Sequence, residues 1–445
     1  MISLNSEDLA NFSEKIVSES VTAGADDVIV NGISSDTRQI RFSENRLDIF
    51  NNWKDTSFHL FLSKKKRVVS TTIKGNDDYR ESVRRAIGTA NNSEPSEDYL
   101  GIAGSSKARS YISSEKPVSD RALSGFAHTA IDTALKNGAT SCSGSLYGSF
   151  YIRCTASSTG ITKKEGSGSY YLSIRCFDGE DASGHSVISS LSGSDFHPER
   201  AAAKAAIIAS GASKPVACEE GRYDTILDPM VVATLTSQVG LMASAYQVIS
   251  GFSCLGGKIG KRVASDAVSI EDDPERKLYG FRRFDDEGVA TGKTRIITDG
   301  VLKTYLHNTS TSKKFGTRTT GNAGLIAPEA FMLSFAGGNQ SRDEMIGEIR
   351  NGLYINNVWY TRYKSYVKGD FSTIPRDAIL RIKNGEIVGA VKGIRITENL
   401  VGLLKRVSTA SKEREHLSWW GESFTPSTVP YVSVKRLNVT RSSDT

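Results

Sequence analysis

The stretch SEDLANFSEKIVSESVTAGADDVIVNGI, residues 6–33, sets the architecture of the first half of the chain. Leu9, Phe12, Ile16 and Val17 recur at helical spacing, which predicts an amphipathic helix over 6–22 that stops at Gly24-Ala25. The residues after it alternate between apolar and polar, the pattern of a strand over 27–33. The same order then returns. Leu123, Phe126, Ile131 and Leu135 share one face of a second helix over 119–135, which stops at Gly138-Ala139, and Gly138 follows Gly24 by 114 residues. Further strands are predicted over 38–49 and 57–70 in the first copy, and over 145–157, 168–175 and 184–190 in the second. Each copy closes on a helix, 78–90 and 197–210, and Gly166-Ser167-Gly168-Ser169 reads as a hairpin turn. The expected unit is helix, three antiparallel strands, helix, present twice.

The pattern changes near 214–220. A single long helix is predicted over 229–250, with Asp228 as its N-cap and Pro229 in the first turn, where a missing N–H costs nothing. Val231, Leu235, Val239, Met242 and Tyr246 form its apolar stripe. Strands are expected beyond it over 288–297, 301–307, 378–382, 386–396 and 431–439, with tight turns at Asp299-Gly300 and Asn384-Gly385. The expected fold class is α+β. Residues 1–217 form an N-terminal domain (repeats 1–117 and 118–217), residues 218–440 a β-rich, barrel-like domain with one long helix, and 441–445 a frayed tail.

Hydrophobic residues make up 38% of the 445 and charged residues 24%, enough apolar material for full cores. No apolar run approaches the roughly 20 residues a spanning helix needs. The first residues, MISLNSEDLANFSEK, lack the pattern of an export signal, so a cytoplasmic location is expected. The five cysteines form no CxxC pair and are expected to be reduced and mostly buried. A net charge of +6 is mild for this length, and the run Lys64-Lys65-Lys66-Arg67 reads as a hairpin tip, not a nucleic-acid contact.

The sequence shows no catalytic constellation of its own. No two of the six histidines lie within five residues of each other, so there is no HxxxH or HExxH site. The segment from Gly251 to Ile259 is one residue too long for a phosphate loop, and Ile259 stands where a magnesium-binding hydroxyl is required. Asp285, Asp286 and Glu287 form an acidic turn that is either structural or a candidate cation or acid/base site. No GxSxG elbow is present.

Six segments taken in order resemble the PmbA (TldE) branch of the TldD/PmbA metallopeptidase-like family. They are Phe284-Asp-Asp-Glu-Gly-Val-Ala-Thr291, Thr320-Gly-Asn-Ala323, Gly352-Leu-Tyr-Ile355, Gly369-Asp-Phe-Ser-Thr-Ile-Pro-Arg376, Ile382-Lys-Asn-Gly-Glu-Ile-Val388 and Ser418-Trp-Trp-Gly421. The resemblance implies a two-subunit protease. Its TldD-type subunit carries an HExxxH helix in which two histidines, with a C-terminal cysteine, bind zinc and the glutamate activates water. The matching segment here is Thr236-Ser-Gln-Val-Gly-Leu241: Thr236 and Leu241 stand at the histidine positions, Ser237 at the glutamate, and no cysteine follows Cys254. The implied role is therefore a subunit with no catalytic or metal-ligating residues of its own. It would be inactive alone and would pair with a zinc-bearing TldD-type partner (or with itself when isolated) around extended peptides. The resemblance also makes Gly369, Asp370, Phe371 and Ser372 a candidate peptide or partner surface. Two other functions remain open at this point: a stand-alone hydrolase, marked by a cluster of Asp285, Asp286 and His307, and a DNA- or gyrase-associated binding protein.

Overall fold

The computed structural model describes residues 4–75, 77–114, 118–419 and 421–441. The expected tail beyond residue 441, residues 115–117 at the junction of the expected repeats, and Trp420 lie outside the described residues.

The first repeat is α1 (Ser6–Thr22), β1 (Asp27–Ser43), β2 (Arg46–Lys64), β3 (Arg67–Lys74) and α2 (Tyr79–Asn92). A short strand, β4 (Tyr111–Ile112), links it to the second: α3 (Asp120–Lys136), β5 (Ser141–Ser157), β6 (Thr162–Asp178), β7 (Ala182–Ser190) and α4 (Pro198–Gly211). Asn5 caps α1 by accepting from the N–H groups of Glu7 and Asp8, and Ser119 caps α3 by accepting from Ala122 N–H. The sheet order β3-β2-β1-β5-β6 pairs the first strand of one repeat with the first strand of the other, and β7 pairs with β6. The helices cover one face. Leu9 and Ile16 of α1 share a core with Val30 and Leu60, and Leu123 and Ile131 of α3 share one with Leu146 and Leu172.

Three expectations for this half are corrected. The strands predicted over 27–33 and 38–49 are not separate segments of that length: β1 is one 17-residue strand whose register with β2 runs from Asp27↔Ser63 to Ser43↔Arg46. The strand predicted over 57–70 is split at Lys65 and Lys66, whose φ values of 51° and 62° make the basic run a hairpin tip. Gly166-Ser167-Gly168-Ser169 is not a turn but the buried middle of β6. A Cβ at Gly166 would lie 3.1 Å from the Tyr151 carbonyl, so the glycine there serves close packing.

The second half contributes β8 (Gly221–Leu227), α5 (Pro229–Met242), α6 (Ala245–Ile249), β9 (Ile270–Asp272), β10 (Thr294–Thr298), β11 (Val301–Leu302), α7 (Thr309–Lys314) and β12 (Leu333–Phe335). After these come α8 (Arg342–Gly347), β13 (Asn351–Ser365), β14 (Asp370–Lys383), β15 (Glu386–Ala390), β16 (Ile394–Asn399), α9 (Leu400–Leu404), β17 (Val407–Trp419) and β18 (Ser423–Arg441). The order β18-β16-β14-β13-β8 closes on itself, because β8 also pairs with β18. That ring is the barrel-like element, and α5, buried along most of its length, packs against it.

The helix predicted over 229–250 is broken. At Ala243 and Ser244 the backbone turns aside to pair with Leu306, through Leu306 N–H to Ala243 O (2.8 Å) and Ala245 N–H to Leu306 O (3.0 Å). Tyr246 consequently leaves the apolar stripe and is 40% exposed. The same pairing cuts the strand predicted over 301–307 to two residues, and the segment expected as strand from 288 begins only at Thr294. Asp299 and Asn384, each followed by a glycine, have φ values of 47° and 50°, as tight hairpin turns require. No helix among the described residues is long and apolar enough to cross a membrane.

Candidate functional site

The face of β5 and β6 turned away from the helices meets loops of the second half, and the candidate site lies along that seam. Alternation along β5 puts Leu146 and Cys154 in the helix-covered cores, and Tyr147, Ser149, Tyr151 and Arg153 on the opposite face. Register continues the row onto β6, opposite Tyr171, Ser169, Ser167 and Glu165 respectively.

Arg153 anchors the seam. Its guanidinium donates to Glu165 Oε1 at 3.0 and 2.7 Å, to Asp286 Oδ1 at 2.9 Å and to the Phe284 carbonyl at 2.6 Å, and lies 4.6 Å from the Phe284 ring centroid. Asp286 also pairs with Arg282. The acidic turn is thus built into the fold. Asp285 accepts the N–H groups of Glu287, Val289 and Ala323 at 2.9–3.0 Å. Glu287 accepts from the Thr309 hydroxyl. Burial pushes Asp285 up to about 7 and Glu287 up to about 8, and those hydrogen bonds oppose the shift. His307 takes no part: its ring bonds to Thr311 Oγ1 at 3.3 Å, so the Asp285–Asp286–His307 cluster that would mark a stand-alone hydrolase does not form.

The seam passes close to α5. Thr236 is 1% exposed and donates to the Val232 carbonyl at 2.7 Å, Ser237 Oγ lies 3.0 Å from Ser423 Oγ, and Leu241 is 42% exposed. Five residues along a helix are about 140° apart, so Thr236 points into the core and Leu241 outward. The zinc that the family resemblance implies does not fit these residues: leucine ligates nothing, and a hydroxyl held in an intrahelical hydrogen bond is a poor zinc ligand. Among the described residues no group of three His, Cys, Asp or Glu side chains stands close enough to hold a metal ion.

Sequence reading missed Arg153 and Glu165, because Glu165 lay outside every predicted strand and only the register brings the two together. It also missed His185. That ring is 6% exposed, with Nε2 2.8 Å from Ser173 Oγ and Nδ1 2.9 Å from Asn357 Nδ2. The arrangement resembles a catalytic triad, but its protons point the wrong way. Asn357 Nδ2 also donates to Asp377 Oδ2 at 2.7 Å, which fixes it as the donor toward Nδ1. Nε2 therefore carries the proton and donates to Ser173, which leaves the serine without a base. Burial pushes the ring down to about 4, so it stays neutral.

The segment Gly369, Asp370, Phe371 and Ser372 forms the β13–β14 turn and the start of β14. Gly369 has φ 81°, Phe371 is 2% exposed, Asp370 accepts from Asn399 Nδ2 at 2.8 Å, and Ser372 accepts from Arg395 at 3.2 Å. In the segment from Gly251 to Ile259, Lys258 donates to the carbonyl of Cys254 within its own loop.

Residues 220–441 match the family model of the PmbA/TldA metallopeptidase C-terminal domain. A metalloprotease of Methanothermobacter thermautotrophicus is 32% identical over 42% of this chain and 42% of its own length. Metalloprotease PmbA of Escherichia coli O157:H7 is 29% identical over 44% of this chain and 43% of its own. Each of these matches spans less than half the length of the relative. The fold is that of TldE from Thermococcus kodakarensis, with TM-score 0.81, 20% identity and coverage of 98% of this chain and 99% of that one. A Thermotoga maritima protein described as a candidate modulator of a DNA gyrase has the same fold, with TM-score 0.79, 21% identity and coverage of 97% and 99%.

Proposed function

We propose, from the premise that this chain belongs to the PmbA/TldD family through residues 220–441, that it is a non-catalytic PmbA/TldE-type subunit of a cytoplasmic two-subunit metallopeptidase acting on extended peptides. The observation that carries this reading is α5, where Thr236, Ser237 and Leu241 offer neither a metal ligand set nor a base. With no side chain able to activate water there, the chemistry belongs to a zinc-bearing TldD-type partner. This chain's part is to complete the chamber with the seam between its two halves. The segment Gly369–Ser372 stays a candidate partner surface through its backbone turn and the side chains of Asp370 and Ser372, since Phe371 is buried.

The test is metal content of the purified chain, together with cleavage of an unstructured peptide with and without a TldD-type subunit. The expected outcome is substoichiometric zinc and cleavage only in the mixture. Zinc near one per chain with chelator-sensitive cleavage by the chain alone would overturn the proposal. Steeply salt-dependent DNA binding would favour the nucleic-acid reading instead.

A further inference from the structure

Two cavities lie side by side along the seam, one of about 300 Å³ and one of about 650 Å³. Three separate segments cross from the first to the second within two residues. On β5, Tyr147 and Ser149 line the first and Tyr151 and Arg153 the second; Tyr279 gives way to Phe281, and Ser423 to Thr425. Two residues of extended chain span about 6.7 Å, the spacing of successive side chains on one face of a strand. The first cavity is uncharged and walled by the rings of Tyr147, Tyr171, Tyr279 and Trp419. The second is lined by Arg153, Arg282, Glu165 and Asp286, which pair with one another, and by Glu329, which forms no hydrogen bond or ion pair through its side chain among the described residues.

We infer that this chain carries its own two-subsite peptide groove, which takes an aromatic or bulky apolar side chain in the first cavity and a cationic side chain, two residues away, against Glu329 in the second. The uncharged aromatic wall accepts a ring. The exposed, unpaired carboxylate of Glu329 offers a charge-assisted hydrogen bond to an ammonium or guanidinium. The inference rests on the reading that the chain handles extended peptides, and it adds which peptides this subunit selects.

The experiment is fluorescence-polarisation binding of end-capped, labelled octapeptides to the isolated chain. Peptides containing Phe-Ala-Lys or Lys-Ala-Phe are compared with Phe-Lys-Ala, Phe-Ala-Glu and Ala-Ala-Lys in the same alanine–serine background. The correctly spaced pair is expected to bind at least about tenfold more tightly than each control. Glu329→Gln should erase the preference for Lys over Glu and keep the preference for Phe over Ala. Ser149→Trp, which fills the first cavity, should do the reverse. Equal binding of all the peptides, or no binding of any, would overturn the groove. Because the panel reads this chain alone, cleavage in the mixture with no discrimination in the panel would remove the groove and leave the partner-subunit reading standing.

Discussion

Arg153 shows what a single residue does in this molecule. It is one guanidinium from the first half that makes four hydrogen bonds to three acceptors, of which Asp286 and the Phe284 carbonyl come from the second. Glu165 is only 3% exposed, so removing its partner leaves a buried carboxylate uncompensated. Arg153→Met keeps much of the volume and deletes the charge. It should destabilise the chain by about 3–5 kcal/mol in urea unfolding, because breaking one side of a buried ion pair costs that much. An unchanged midpoint would mean that water reaches Glu165 and Asp286. His185 shows the opposite case: three polar neighbours around a histidine look catalytic until the donor at Asn357 is identified, and then the proton on Nε2 excludes the chemistry.

At the scale of an element, α5 holds the residues at the motif positions that the family resemblance implies in surroundings of their own. Thr236 is sealed in the core, and at Gly240 a Cβ would lie 2.9 Å from Leu333 and 3.1 Å from Ala330. Restoring the motif letters therefore does not restore the site. The triple variant Thr236→His, Ser237→Glu, Leu241→His is expected to bind no stoichiometric zinc by elemental analysis. It should also lose about 1–3 kcal/mol of stability to overpacking at position 236. Zinc at one per chain would show that the helix retains a usable ligand geometry. The break after Met242 belongs to this scale too. The apolar stripe Val231, Leu235, Val239 and Met242 was legible as a helix, but the stop was not, because it is made by hydrogen bonds to Leu306, more than 60 residues away.

For the whole molecule, buried acids and buried histidines set opposing pH dependences. Burial raises Asp272 and Asp285 to about 7 from an ordinary 3.8, and Glu287 to about 8 from 4.5. Between those limits the folded chain holds protons that the unfolded chain releases, so these groups make stability fall as pH rises. Burial lowers His185, His307 and His416 to about 4 from 6.5, so between those values the unfolded chain binds the extra protons, and these groups make stability rise with pH. Above pH 6.5 the histidine contribution is complete and the carboxyl contribution continues. The urea midpoint is expected to fall between about pH 6.5 and 8, and Glu287→Gln should flatten that fall. A midpoint that climbs through this window would mean that Asp285 and Glu287 are ionised in the folded chain.

The features legible in the chain order were local and periodic: the twofold order of helix, strands and helix, the capped start of α5, and the tight turns at Asp299-Gly300 and Asn384-Gly385. Propensity, capping and left-handed backbone positions are written within a few residues of where they act, so the chain order displays them. Strand pairing, not local pattern, makes β1 and β5 join the two repeats, closes the barrel with β8 on β18, and makes Gly166–Ser169 strand. The tertiary structure alone put Arg153, Glu165, Asp286 and Glu329 around one cavity. These outcomes depend on which strands pair and in what register, and on which loops fold over them. Most of these contacts join residues more than 100 positions apart, as between β1 and β5 or β8 and β18, and no local pattern in the sequence records them.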